Sequence, residues 1–312
     1  MIEQIQSARG IAAVFVTMNR CEIAEACLEK LKAQTLRPEK VIVIDNASTD
    51  LTGEMLRKAN LDSGGWIEEI HLDENLGNAG GMQIAMDLAF SRGFEAVWIL
   101  DDDSWPETDA LASLLNEKIP EVAVRSCRVL NLATGALSWP LQISDPKGWR
   151  IVDGHDPLPD GNLIRIRRSW LGALIPHSIY VAVGPVEGRL FLRGEDEDYP
   201  RRIEQAGYPV YLVKSSILHH PPSGKMNYWD IAGRTVALEC GLSGDKLYYR
   251  LRNAWWIVRR DRGNLEAVTF AALHLLALWR WEHSLVAWLP VWWEAAHDAL
   301  TDRLGKRRTK PR

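Results

Sequence analysis

Three clusters in this 312-residue chain have side chains that catalysis commonly uses. Asp101, Asp102 and Asp103 close the apolar run Ala96–Leu100. Adjacent carboxylates repel one another, so they sit either in water or around a cation that neutralises them. A solvated strand end satisfies that requirement, and so does a divalent-metal site gripping a diphosphate. Gly194-Glu195-Asp196-Glu197-Asp198-Tyr199 puts four acids in a row after an apolar stretch. The dipole of a following helix favours such acids at its start, and one of them standing in a cleft has the character of a general base. His219 and His220 follow Ile217-Leu218. A histidine ending a strand is either structural or a metal ligand.

Two further turns supply polar groups without an obvious reaction. Asp45-Asn46-Ala47-Ser48-Thr49-Asp50 follows a strand-like run. Ser48 or Thr49 reads as a helix cap, which leaves Asp45 and Asn46 to hydrogen-bond a base or ribose. Asn75-Leu76-Gly77-Asn78-Ala79-Gly80-Gly81 is glycine-rich and opens a helix. It matches neither a dinucleotide-binding fingerprint nor a P-loop, so its backbone either turns or approaches a polar ligand.

The elements that must hold these clusters follow from hydrophobic patterning. Ile11–Val16, Val41–Ile44, Ile67–Leu72 and Ala96–Leu100 read as strands. Cys21–Lys32, Asp50–Ala59 and Gly80–Gly93 read as the helices between them. This alternation implies a mostly parallel sheet with crossover helices, and such sheets bind ligands at the carboxyl ends of their strands. The polar clusters fall there. Residues 131–168 are rich in Gly, Pro, Asp and Arg and read as an irregular loop or lid. Leu171–Ile175, Phe191–Leu192 and Val210–Val213 read as later strands, and Asp196–Gln205 as a helix with Pro200 admissible only near its first turn. From Gly244 the pattern is helical.

In this order and spacing, VTMNR (Val16–Arg20), IDNASTD (Ile44–Asp50), NLGNAGG (Asn75–Gly81), WILDDD (Trp98–Asp103), FLRGEDEDYPRR (Phe191–Arg202) and the His219 segment resemble family 2 inverting nucleotide-sugar glycosyltransferases of the GT-A fold. Within that family the chain resembles bacterial galactofuranosyltransferases that begin the cell-wall galactan. LFLRGEDEDYPRR, LHHP and YYRLRN (Tyr248–Asn253) carry that nearer likeness. Rhamnosyltransferases using dTDP-rhamnose share much of the pattern and are the runner-up.

The resemblance implies roles. Thr17, Arg20, Asp45 and Asn46 would hold uracil and ribose, and Asn75, Gly80 and Gly81 would line the donor pocket. Asp101 and Asp103 would bind a manganese or magnesium ion, with Asp102 beside the donor and His219 completing the metal site. His220 is the alternative ligand. Asp196 matches the catalytic base, with Glu195 as the alternative. The implied partners are a UDP-sugar donor and a lipid-linked saccharide acceptor. The implied architecture is a GT-A domain over 1–225, with a sheet flanked by helices, and a C-terminal helical region over 226–312.

Composition bounds the rest. A net charge of −4 gives no overall nucleic-acid footprint. From Lys246 onward the chain carries 13 Lys and Arg against 6 Asp and Glu, while the remainder carries 24 against 35. Eight of the 14 Trp lie between Trp229 and Trp293. A basic, Trp-rich helical tail suits either packing onto the catalytic domain or onto a subunit partner, a homo-oligomer included, or the interface of an anionic leaflet. Cys21, Cys27, Cys127 and Cys240 lack metal-ligand spacing and read as buried thiols of a reducing compartment. The early residues lack a signal-peptide core, and no apolar run reaches spanning length. The expected location is the cytoplasm, peripheral on the inner face of the cell membrane. A non-catalytic carbohydrate-binding relative has no need of all three clusters, and a nucleotidyltransferase would show a Lys-bearing triphosphate loop that is missing here.

Overall fold

The computed structural model describes residues 6–222, 224, 226–231, 233–239, 241–242, 244–282 and 285–307. Cys240, His283, Arg308 and Lys310 lie outside the described residues. The chain divides into two compact units. The first comprises residues 1–75, 81–186 and 199–222, and the second comprises 76–80, 187–198 and 223–312.

The elements run β1 (Gln6–Thr17), α1 (Cys21–Lys32), β2 (Leu36–Asp45), α2 (Thr52–Asp62), β3 (Ile67–His71), α3 (Gly77–Ser91) and β4 (Ala96–Ile99). There follow β5 (Trp105–Pro106), α4 (Ala110–Asn116), β6 (Val124–Asn131), β7 (Leu141–Asp145), β8 (Gly148–Val152), β9 (Leu163–Ile166) and β10 (Ala173–Pro176). Then come α5 (His177–Val183), α6 (Glu195–Gln205), β11 (Val210–His220), β12 (Met226–Ile231), β13 (Arg234–Glu239), α7 (Gly244–Arg262), α8 (Asn264–Glu282) and α9 (Leu285–Leu300).

The first unit is built on one sheet ordered β3-β2-β1-β4-β10-β6-β11-β9-β7-β8, with β5 added against β11. β3, β2, β1 and β4 are mutually parallel, whereas β10 runs antiparallel to β4. The central strands are apolar on both faces because both faces are covered. Ala12, Val14 and Val16 of β1 point into one core cluster and Ala13 and Phe15 into the other. The same split places Ile42 and Ile44 of β2 opposite Val41 and Val43. Helix α1 buries Ala24, Cys27, Leu28 and Leu31, one face at helical spacing. Its Glu22 stands in the first turn and Lys30 and Lys32 in the last, both favoured by the dipole. Gly81 of α3 lies hard against β1, where a Cβ would come within 2.7 Å of Val16 Cγ1.

Register brings Thr17, Asp45 and His71 level at the carboxyl ends of β1, β2 and β3. Beyond the end of β4 come Asp101 to Asp103.

Several expectations need correction. Residues 131–168 are not an irregular lid, since the β7–β8 hairpin and β9 extend the sheet there. Phe191–Leu192 is not a strand. Phe191 takes φ 66° after a 3-10 turn over Gly188–Leu190, and Arg193 takes φ 63°. Neither Ser48 nor Thr49 caps α2. The Thr52 N–H is taken by Asp50 Oδ1 at 2.9 Å, and Ser48 Oγ accepts from Asn19 N–H at 2.9 Å. Pro200 lies inside α6, beyond its first turn. Cys27 and Cys127 are buried, but Cys21 is only half-buried.

In the second unit the β12–β13 hairpin precedes the three helices α7 to α9, so its start is not helical. These helices share a core of Leu247, Tyr248, Leu251, Trp255, Leu278 and Ala295, to which Leu190 and Phe191 also contribute. Trp255 and Trp256 are therefore core residues, whereas Trp279 and Trp293 remain exposed.

Candidate active site

The first unit gathers one acidic centre at its strand ends. Asp102 is 4% exposed and turned inward. Its Oδ2 accepts from Thr17 Oγ1 at 2.8 Å and its Oδ1 from Arg20 Nη1 at 2.7 Å. Arg20 Nη2 donates to Asp103 Oδ2 at 2.8 Å. Burial raises the Asp102 carboxyl to about 6, against the opposing pull of Arg20 and Thr17. Burial would raise Asp103 as well, but bonds from His220 and Arg20 overcome it and hold that carboxyl at about 2.

Asp101, Asp103 and His220 each present one ligand atom, all within 4.8 Å of one another. His220 Nε2 lies 3.4 Å from Asp103 Oδ1, while its Nδ1 lies 2.7 Å from the Pro221 carbonyl oxygen. A carbonyl acceptor on Nδ1 keeps a proton there and aims Nε2 at a ligand. Two carboxylates and one imidazole fit a hard or borderline divalent cation. Burial would lower the His220 imidazole, but Asp103 and Asp101 raise it above its ordinary value.

His219, the ligand first expected, is not in this group. Side chains alternate across a strand, so consecutive histidines at the end of β11 face opposite ways. His219 Nε2 pairs with Glu107 Oε1 at 3.0 Å. It lines a separate cavity of about 350 Å³ with Lys30, Trp105, Pro106 and Leu132.

A second cluster sits at the ends of β2 and β3. Asp45 is fully buried. Its Oδ1 accepts from Ser48 N–H at 3.0 Å and its Oδ2 lies 2.9 Å from His71 Nδ1. Glu69 joins them within 4.8 Å. Asn46 Nδ2 donates to Asn75 Oδ1 at 3.0 Å, so these two expected donor-pocket residues meet. The expected pocket residues thus form three sets of side-chain bonds: Thr17 and Arg20 with Asp102 and Asp103, Asn46 with Asn75, and Asp45 with His71. Gly80 belongs to the second unit and Gly81 to the first. His71 was missed by sequence reasoning. The signal that finds it is register, because it stands directly opposite Asp45 on the neighbouring strand.

The second unit presents the four acids that open α6. Glu195 is buried and its Oε1 accepts from Asn78 Nδ2 at 2.7 Å. Asp198 is buried in an ion pair with Arg260. Glu197 lies 3.7 Å from Arg250. Asp196 alone among the four is exposed, and its Oδ1 accepts from Gly194 N–H at 3.0 Å.

The segment that delivers these acids is clamped by α7. Fully buried Arg252 donates from Nη2 to the Leu190 carbonyl at 2.8 Å and from Nε to Asn253 Oδ1 at 2.9 Å. Asn253 Nδ2 reaches the Leu190, Leu192 and Arg193 carbonyls, the first two at 3.0 and 3.1 Å. Gly77, with φ 73°, abuts the same loop, where a Cβ would strike the Phe191 backbone. Arg252 and Asn253, the second Arg and the Asn of YYRLRN, supply this grip.

The family model described as glycosyl transferase family 2 matches residues 13–152. Galactofuranosyltransferase GlfT1 of Mycobacterium tuberculosis is 31% identical over 226 residues, covering 68% of this chain and 70% of the relative. The chain belongs to glycosyltransferase family 2. The GlfT1 of Mycolicibacterium smegmatis is 27% identical over 262 residues, with 80% and 82% covered. An N-acetylglucosaminyl-diphospho-decaprenol L-rhamnosyltransferase of M. tuberculosis is 26% identical over 237 residues, with 67% and 76% covered. A structure of GalNAc-T7 with UDP, GalNAc and Mn2+ superimposes with TM-score 0.59 at 15% identity, covering 82% of this chain and 48% of the other. S. aureus TarS 1-349 in complex with UDP gives 0.55 at 13%, covering 94% and 81%. These structural likenesses show the GT-A fold. The chain is a glycosyltransferase whose acidic centre is compatible with a divalent cation.

Proposed function

We propose that this glycosyltransferase moves galactofuranose from UDP-galactofuranose to a saccharide carried on a polyprenyl diphosphate, at the inner face of the cell membrane, with inversion at the anomeric carbon. The observation that carries the sugar assignment is the 31% identity to a galactofuranosyltransferase over two thirds of both chains. The lipid-borne acceptor is supported by the N-acetylglucosaminyl-diphospho-decaprenol substrate of the rhamnosyltransferase relative.

In this reading Asp45 and Asn46 hold the base and ribose. Thr17 and Arg20 hold the inward Asp102 carboxylate, and Arg20 also holds Asp103 in place beside the cation. Asp101, Asp103 and His220 hold the cation, manganese or magnesium. When bound, it supplies positive charge that stabilises the departing diphosphate, so the leaving group needs no proton. Asp196 is the general base. Its Oδ2, the oxygen not engaged by Gly194 N–H, takes the proton of the acceptor hydroxyl as that oxygen attacks. Its exposure supports the choice over Glu195, whose carboxylate is buried against Asn78. Holding donor and acceptor in line supplies much of the acceleration.

The test is direct. The purified chain is incubated with a lipid-diphosphate saccharide, manganese or magnesium, and either UDP-galactofuranose or dTDP-rhamnose, and the product is weighed by mass spectrometry. Transfer from UDP-galactofuranose is expected. Transfer from dTDP-rhamnose alone would replace this reading with the rhamnosyl one, which the 26% relative supports.

A further inference from the structure

Helix α8 has one face that the fold leaves uncovered. At 3.6 residues per turn, Leu265, Val268, Ala272, Leu276 and Trp279 fall within an arc of about 80°. All five are exposed, Leu265 at 83% and Trp279 at 62%. The opposite face is buried, with Ala267, Ala271, His274, Ala277 and Leu278 in the core. The stripe runs roughly 21 Å along the helix. On α9, Leu289, Trp293 and Leu300 also share one face and are exposed, Trp293 at 69%. Soluble surfaces scatter such residues singly, whereas an aligned row marks a contact.

We propose that this face of α8, with the exposed residues of α9, docks on an anionic lipid surface. Three observations choose the occupant. Arg262 stands just before the stripe and Arg280 just after Trp279, both exposed, and exposed Arg303 and Lys306 follow α9. The carboxylate beside the stripe, Glu266, is already neutralised by Arg234 through bonds of 2.9 and 2.8 Å. The face is therefore apolar with cationic ends, the pattern that suits negative headgroups. Tryptophan favours that interface. No helix among the described residues is long and apolar enough to cross a membrane, so the stripe lies along the surface. A second copy fits less well. Two-fold pairing of the stripe with itself sets arginine against arginine, whether the helices run parallel or antiparallel.

The inference deepens the reading of a lipid-borne acceptor and rests on it for its purpose, but its test does not. The full chain is sedimented with phosphatidylcholine vesicles and with vesicles one-third phosphatidylglycerol. Alongside it run the triple variant Leu265→Ser, Leu276→Ser, Trp279→Ser and the double variant Arg262→Glu, Arg280→Glu. Binding to the anionic vesicles alone is expected. The triple variant should lose at least tenfold in partitioning and the double variant at least about 25-fold, each basic residue being worth about fivefold near the surface and each added glutamate repelling it further. High salt should weaken the wild type in parallel. Melting temperature and transfer to a water-soluble acceptor analogue should be unchanged in both variants. No vesicle binding, triple-variant binding equal to wild type, or a wild-type dimer that the triple variant turns into a monomer without any vesicle binding overturns the proposal. A chain that transfers sugar yet ignores vesicles refutes the docking face alone. One that binds vesicles as described but transfers no galactofuranose refutes the functional reading alone.

Discussion

Replacing Asn253 with alanine tests whether the acids that open α6 are positioned from behind. The Asn253 amide carries two hydrogens and reaches three backbone carbonyls of residues 190–193. A buried carbonyl deprived of its donor costs about 1–3 kcal/mol, so the loss of two bonds is worth about 2–6 kcal/mol. The same loop holds Phe191 and Arg193 at φ 66° and 63°. Each of these conformations costs about 1–2 kcal/mol in a residue with a Cβ. Without the clamp the loop has reason to relax, and Glu195 and Asp196 follow directly in sequence. Melting temperature should fall by roughly 5–15 °C. More tellingly, kcat measured well below the melting point should fall about 100-fold, the usual toll for a displacement near 1 Å. Donor affinity, read by titrating UDP in the presence of manganese, should hold. An Asn253→Ala enzyme with lowered melting temperature and wild-type kcat would refute the positioning argument. Equal losses in kcat and UDP affinity would show instead that the whole site had collapsed.

Asp196→Asn should abolish transfer and leave UDP binding intact, as seen by comparing turnover with thermal shift; an active variant removes Asp196 from the mechanism. His220→Ala should weaken manganese binding by more than the roughly 10–100-fold that loss of a supporting group costs. His219→Ala should leave it unchanged, and calorimetric titration separates the two. Burial pushes the His274 imidazole from 6.5 down to about 4. The unfolded chain therefore takes up this proton first, and stability from this group is complete above pH 6.5 and is lost as pH falls toward 4, about 3 kcal/mol in all. Urea denaturation at pH 7 and pH 4.5 should show a smaller difference in His274→Gln.

The parallel half of the sheet was legible because strands covered on both faces are continuous apolar runs, as in Ile11–Val16 and Val41–Ile44. The strands of 131–168 were not. In β8 the residues Gly148 to Ile151 are exposed and only Val152 is buried, so no apolar run announces them. β12 fails to announce itself for a similar reason, its residues being exposed or half-buried. Phe191-Leu192 misled in the opposite sense, since two apolar neighbours there serve a left-handed turn. The acidic motifs were readable as clusters, yet residue type could not say which histidine faces which side of β11. Nor could it say which of four acids is exposed. Arg252 and Asn253 were marked only by likeness, because the carbonyls that they hold lie some sixty positions away.

Arg20 reaches both Asp102 and Asp103, so a charge belonging to the chain already draws part of the acidic centre together. In small metallo-domains the ion itself assembles the ligands, and its removal unfolds the protein. Here the cradle is preorganised. On the proposed reading, loading it with a cation is an exchange of electrostatic partners rather than a folding event, so scarcity of the cation would slow turnover without unfolding the chain. On that reading the ion would set the rate and not the fold, and recovery after starvation would need only the ion's return and no new synthesis.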